Sequence, residues 1–224
     1  MDTKTAAIEP LLLTLKVAGT ATLAAFFAGV VIAFALARGR FWAKQWLDAF
    51  FTLPLVLPPT VVGYYLIVLI GRNGLIGRWL EEVLGISLIF TWQGAVVAST
   101  VVSLPLVIKS AKAAFEGVDK NLENAGRTLG LTEPEVFFRV SFPLAWPGIL
   151  AGTMLAFARA MGEFGATLMV AGNLPGKTQT LSLAVYEAIQ AGNNKLATVL
   201  VIITTTVCVV ILVFSDKILK SKSY

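Results

Sequence analysis

The chain reads as an all-α protein, a polytopic membrane helix bundle. Three observations carry this expectation. Of its 224 residues, 57% are hydrophobic and only 14% charged, and the mean hydropathy is +0.80; a soluble domain of this length carries more charge and cannot hide so much apolar surface. The apolar residues gather into five runs, 11–37, 49–71, 88–108, 148–171 and 196–214, each near the roughly 20 residues that cross a hydrocarbon core. Between them the Lys and Arg residues are dense in alternate connections, as the positive-inside rule requires of a multi-pass protein. No polar segment reaches about 50 residues, the low end for an independent domain, so residues 1–224 read as a single transmembrane domain.

The first run is too long for a signal-peptide core and has no basic leader directly before it, so it reads as a retained helix, with Lys16 snorkelling near its outer end. Arg38, Arg40 and Lys44 follow, and Phe41, Trp42 and Trp46 fit an interfacial aromatic belt. The second run contains Leu53-Pro54-Leu55-Val56-Leu57-Pro58-Pro59. Each proline removes a backbone donor, and in lipid the freed carbonyls must be buried in protein or line a wet cavity. Pro54, Pro58 and Pro59 therefore mark either a broken helix beside a translocation path or a packing kink.

Leu75, Ile76, Trp79, Leu80, Val83 and Leu84 share one face of a short amphipathic helix expected to lie on the outer surface. The third run carries Pro105. After it comes the longest polar segment, about 110–147. There Thr132 and Glu135 match a capping box, and Pro134 suits a first turn, so a short helix starts near Glu133; Pro143 and Pro147 are expected to end it.

In the fourth run Arg159 and Glu163 are four apart and share a helix face. A bare charge there costs at least about 2.5 kcal/mol, so the two should neutralise each other and fix packing, or face a partner or water as part of a path or gate. Residues 171–178 fit a permissive phosphate-loop pattern but follow a membrane helix rather than a strand, so they read as a Gly/Pro/Asn turn. Leu181, Ala184, Val185, Ala188 and Ile189 make a second interfacial face, and Cys208 in the last run packs as a small hydrophobe.

Five spans with the N-terminus outside place Arg38, Arg40, Lys44, Lys109, Lys112, Lys120, Arg127, Arg139, Lys217, Lys220 and Lys222 on the cytoplasmic side. The other side then receives only Lys4, Arg72, Arg78, Lys177 and Lys195. A sixth span would put the basic tail with the outer loops, against the charge bias. The chain has no histidine and one cysteine, which removes the commonest general base and metal ligand and any internal disulfide. No catalytic or metal-binding set is expected. The net charge of +5 is spread over loops, which argues for membrane topology over nucleic acid.

The polar segment has a fixed order: Asn124-Ala125-Gly126, three residues, Gly130, nine residues, Val140, one residue, Phe142-Pro143. It resembles the cytoplasmic coupling segment of ABC importer permeases, Glu-Ala-Ala, three residues, Gly, nine residues, Ile, any residue, Leu-Pro. Asn124 stands at the Glu, with Glu123 just before it, Gly126 at the second Ala, Val140 at Ile and Phe142 at Leu. With the proline block to Tyr64, Arg127-Thr128-Leu129-Gly130, and Phe157-Ala158-Arg159-Ala160-Met161-Gly162-Glu163-Phe164-Gly165-Ala166-Thr167, the whole chain is similar to the permease subunits of molybdate-type ABC importers, which are type I importers.

That resemblance implies a non-catalytic pore subunit in the cytoplasmic (inner) membrane, importing molybdate; tungstate or sulfate is the alternative. It implies a homodimer, two cytoplasmic ABC ATPase subunits, an extracytoplasmic oxyanion-binding protein, and no cofactor in this chain, ATP being used by the partner. Glu123, Asn124, Ala125, Gly126, Gly130, Val140 and Pro143 would form the ATPase-coupling set, and Pro54, Pro58, Pro59, Arg159 and Glu163 the path or gate. An intramembrane enzyme lacks a clustered catalytic set, and an ATP-independent channel would not need the coupling pattern.

Overall fold

A computed structural model describes residues 5–39 and 42–221, the side chains of 5, 6, 212 and 214–221 excepted. Among the described residues there is no strand. The helices are α1 (Thr5–Arg38), α2 (Lys44–Val56), α3 (Pro59–Ile70), α4 (Leu75–Leu84), α5 (Trp92–Glu116), α6 (Lys120–Thr128), α7 (Glu133–Val136), α8 (Phe142–Met161), α9 (Gly165–Ala171), α10 (Leu181–Gln190) and α11 (Asn194–Ser221). Four are long and apolar enough to cross a membrane, or five spans if α2 and α3 count as one.

Helices α1, α5 and α8 form the centre. Small residues let them approach closely, as membrane helices do in the absence of a hydrophobic drive between them. Ala18, Ala21, Ala25 and Ala33 of α1 are fully buried. A Cβ added at Gly148 would sit 2.6 Å from Ala114 Cβ, and one at Gly29 2.7 Å from Val107 Cγ1. Ser110 Oγ crosses the seam to donate to Gly148 O at 2.7 Å. Helices α3 and α9 pack together against α5 through Val62, Leu66, Ala98, Val102, Ala166 and Val170.

Several boundaries differ from expectation. The second run breaks at Leu57 and Pro58, both extended, and α2 and α3 diverge by 116°; the proline cluster makes a true break. The third span starts later because Thr91 caps it by accepting from Gly94 N at 3.2 Å, and it runs on to Glu116 through Lys109 and Lys112, whose ammonium groups pair with Asp48 at 2.9 and 2.8 Å. The fourth is also broken: α8 stops at Met161, and α9 starts at Gly165. Glu163 is therefore not on a continuous helix face with Arg159.

Pro143 and Pro147 do not end the helix begun at Glu133. The helical run continues from Glu133 to Met161. A π-turn at Phe137–Ser141, in which Phe142 N donates to Phe137 O, widens the backbone just before Pro143. That relieves the clash a proline ring makes with the carbonyl four residues earlier in a regular helix.

Helix α4 presents its apolar residues to the surroundings as expected, with Leu75 87% exposed and Trp79 54%. Helix α10 buries part of its expected apolar face against the chain itself, while Ile189 of that face is 58% exposed. Leu181, Ala184 and Ala188 are buried with Ala7, Ala197 and Leu200, and Leu181 N donates to Thr14 Oγ1 at 2.8 Å. Lys16 lies 3.6 Å over the Trp92 ring, a cation–π contact in place of simple snorkelling. Trp42 and Trp46 are exposed; Phe41, Arg40 and Lys4, the Lys222 backbone and side chain, and the side chains of Lys217 and Lys220 lie outside the described residues.

Candidate functional site

The 110–147 segment closes one end of the bundle. Asp119 starts α6, its Oδ1 accepting from Asn121 N at 2.9 Å. Helix α6 ends in a Schellman arrangement: Gly130 N donates to Arg127 O at 3.0 Å and Leu131 N to Gly126 O at 3.1 Å. Gly130 has φ +88° with open space around it. Its glycine is required by the left-handed backbone, in addition to any role for small size.

The coupling set divides into two groups. Glu123 and Gly126 are buried inside the segment, while Asn124, Ala125, Gly130 and Pro143 are exposed and Val140 is half-buried. A Cβ on Gly126 would meet Leu131 Cδ1 at 3.3 Å, Val136 Cγ2 at 3.5 Å and Val140 Cγ2 at 3.7 Å, so this small residue seats the turn and the next helix. Glu123 Oε1 accepts from Arg38 Nε at 3.0 Å, Arg38 Nη2 at 2.7 Å and Ser141 Oγ at 2.7 Å. Arg38 Nη2 also reaches Val118 O at 3.2 Å. One carboxylate thus joins α6 to the end of α1 and the root of α8.

Arg127 ties α6 to α7. Its Nε and Nη2 meet Glu133 Oε1 and Oε2 at 2.6 and 3.0 Å, and Nη1 donates to Asn124 Oδ1 at 2.8 Å. The guanidinium holds the Glu133 carboxyl below the usual carboxylate range. Thr132 N and Oγ1 both donate to Glu135 Oε2 at 2.9 Å and lower its pKa likewise. The expected start at Glu133 with Glu135 reaching back is therefore present. Leu122, Leu129 and Phe138 are 49%, 84% and 67% exposed on this knob. Leu122 gave no sequence signal and Leu129 entered only within the Arg127–Gly130 block, because an exposed Leu is recognisable only once the helix is placed.

The second candidate lies where the two broken spans meet, with Glu163 buried and Pro58 and Gly162 exposed. A Cβ on Gly165 would lie 3.0 Å from Pro59 Cβ and 3.4 Å from Thr60 N; one on Gly63 would lie 3.1 Å from Ala166 Cα. Pro58 and Pro59 thereby come next to the Gly162-Glu163-Phe164 break, while Pro54 sits one turn back within α2. Glu163, with its side chain 1% exposed, accepts from Ala166 N at 2.9 Å through Oε1 and faces Arg159 Nη1 at 2.8 Å through Oε2. Arg159 is 31% exposed. The carboxylate caps α9 and neutralises Arg159 at once. A third feature, the 171–178 phosphate-loop look-alike, is a hydrogen-bonded turn after α9: Lys177 N and Thr178 N donate to Leu174 O at 3.0 and 2.9 Å.

Residues 23–222 match the family described as binding-protein-dependent transport system inner membrane component. The chain belongs to this family. It is similar to the molybdenum transport system permease protein ModB of Escherichia coli (strain K12), 46% identical over 93% of this chain and 91% of that protein. The ModB protein of Haemophilus influenzae is 45% identical over 82% of this chain and 80% of its own. Among solved structures, an inward-facing MetNI methionine ABC transporter chain superposes with a TM-score of 0.75 at 17% identity, covering 97% of this chain and 96% of that one; that likeness concerns the fold. The chain is thus a multi-pass transport-system component of the inner membrane, with the helical architecture of an ABC importer's membrane subunit.

Proposed function

We propose that this chain is the pore subunit of an ATP-driven importer of molybdate. Two copies enclose the path, two separate ATPase subunits dock on the α6–α7 knob, and an extracytoplasmic binding protein delivers the oxyanion at the other end. The observation that carries the substrate is the 46% identity to a molybdenum transport permease along almost the whole of both chains. The knob supports the ATPase partnership: exposed Leu122, Leu129 and Phe138 stand on two helices locked by Arg127–Glu133.

In this reading ATP is bound and hydrolysed by the partner, and the chain itself does no covalent chemistry. Closure of the ATPases displaces the knob. The Arg38–Glu123–Ser141 network passes that displacement to α1 and α8. Helix α8, 20 residues long and so about 30 Å, carries it to the Gly162 break. There α9 and α3 turn against each other and open or close the path.

The test is uptake of isotopic molybdate by cells lacking their own molybdate system and expressing this chain with its cognate ATPase and binding protein. ATP-dependent accumulation, resistant to excess sulfate, is expected. Sulfate blocking uptake at equal concentration would favour a sulfate permease, and uptake without the ATPase would favour a passive channel.

A further inference from the structure

We propose that the cavity between the end of α1, the start of α2 and helix α6 holds the phosphate headgroup of an anionic phospholipid. Its volume is about 480 Å³. Four cationic side chains, Arg38, Lys44, Lys120 and Arg127, line it against two carboxylates, Glu123 and Glu133. Both carboxylates are already taken, by Arg38 and Arg127. Lys44 and Lys120 have no ion-pair partner among the described residues. Two unneutralised ammonium groups therefore face one concave space.

The position and the walls decide which anion fits. Arg38 closes the membrane-spanning α1 and Lys44 opens α2, so the cavity sits at headgroup depth. Trp42 and Trp46, two residues either side of Lys44 in the sequence, are 92% and 75% exposed, as residues of an interfacial belt are. Phe34 and Phe137 supply an apolar wall below the cations. Basic pockets between membrane helices on the cytoplasmic side bind anionic phospholipid headgroups, and here the apolar wall adds a surface for the adjoining acyl carbons. Inorganic phosphate or a free oxyanion has the same charge but makes no use of the apolar wall. The bound lipid would brace α6 against α1 and α2.

The test uses the purified complex of this chain with its ATPase, and measures co-purified lipid by native mass spectrometry. Phosphatidylglycerol should be retained over phosphatidylcholine. The Lys44→Gln/Lys120→Gln double variant should retain roughly 25-fold less phosphatidylglycerol, at about a fivefold effect per lysine. A charge-matched control at the other end of the bundle, Lys177→Gln/Lys195→Gln, should retain as much as the unsubstituted protein. Equal retention in the Lys44/Lys120 variant, or an equal loss in the control, overturns the proposal. Displacement of the lipid by millimolar inorganic phosphate or molybdate also overturns it, by identifying a soluble anion as the occupant.

Discussion

Arg38, the last residue of α1, and Glu123, in the middle of α6, meet through two hydrogen bonds of 3.0 and 2.7 Å to a single carboxylate oxygen. Their side chains are 16% and 4% exposed. Charge-assisted bonds of this kind are stronger than neutral ones, and Ser141 adds a third donor to the same oxygen. The amphipathic α6 is thereby fixed to the end of α1 and the root of α8.

Removing Glu123 leaves Arg38 largely buried and unpaired. Glu123→Ala should cost about 3 kcal/mol, and Ser141→Ala about 1 kcal/mol. Thermal unfolding of the purified complex measures both, and limited proteolysis should find the 120–143 segment newly sensitive in Glu123→Ala. An unchanged melting temperature and cleavage pattern would count against the network.

Gly130 offers a test of backbone against bulk. Its φ of +88° lies where side chains with a Cβ are strained, and nothing lies near its missing Cβ. Gly130→Ala should cost about 1 kcal/mol, and Gly130→Asn less, since Asn tolerates that region better. Gly130→Trp adds bulk on the exposed knob as well and should abolish uptake while the chain still inserts. If Ala, Asn and Trp all support normal uptake, neither the turn nor the docking reading of Gly130 stands.

Much of the fold was legible because membrane spans are set by length and hydropathy, and capping and proline rules are local. The break at Pro58, the Glu133 start and the amphipathic α4 all follow from neighbouring residues. The packing of helix α10 is not legible in its own residues, because its alternation of Ala and Leu with Ser182 and Glu187 gives an amphipathic face but no sign that Thr14 of α1 accepts the Leu181 N–H. The break at Gly162 was missed for a related reason. The sequence shows Arg159 and Glu163 at helical spacing, but Glu163 uses its carboxylate to cap a new helix. The pairing of Glu123 with Arg38 spans 85 positions and leaves no local trace; only the identity and spacing of the motif pointed to that neighbourhood.

Orientation is tested by thiol labelling in a Cys208→Ser background. The positive-inside rule, applied to the density of Lys and Arg, leads us to expect the α6 end inside. In intact cells an impermeant reagent should label Lys177→Cys and leave Lys120→Cys unmodified until the membrane is permeabilised. Labelling of position 120 from outside would reverse the topology and remove the ATPase from the knob.

The junction of the broken spans gives the sharpest test. Arg159→Gln leaves the Glu163 carboxylate, 1% exposed, with only the Ala166 N–H, and should destabilise the complex by about 3 kcal/mol or more. Glu163→Gln keeps an oxygen for Ala166 N and leaves the more exposed Arg159 to reach water, so it should cost less. The charge exchange Arg159→Glu/Glu163→Arg should not rescue, because a guanidinium at 163 has no acceptor for the Ala166 N–H that starts α9. The double variant Arg159→Gln/Glu163→Gln removes both charges and keeps the cap, so it should assemble. Its uptake then separates the roles: a stable complex that no longer transports assigns the charges to the path, whereas a stable complex with full uptake leaves Glu163 as a helix cap and Arg159 as its counter-ion.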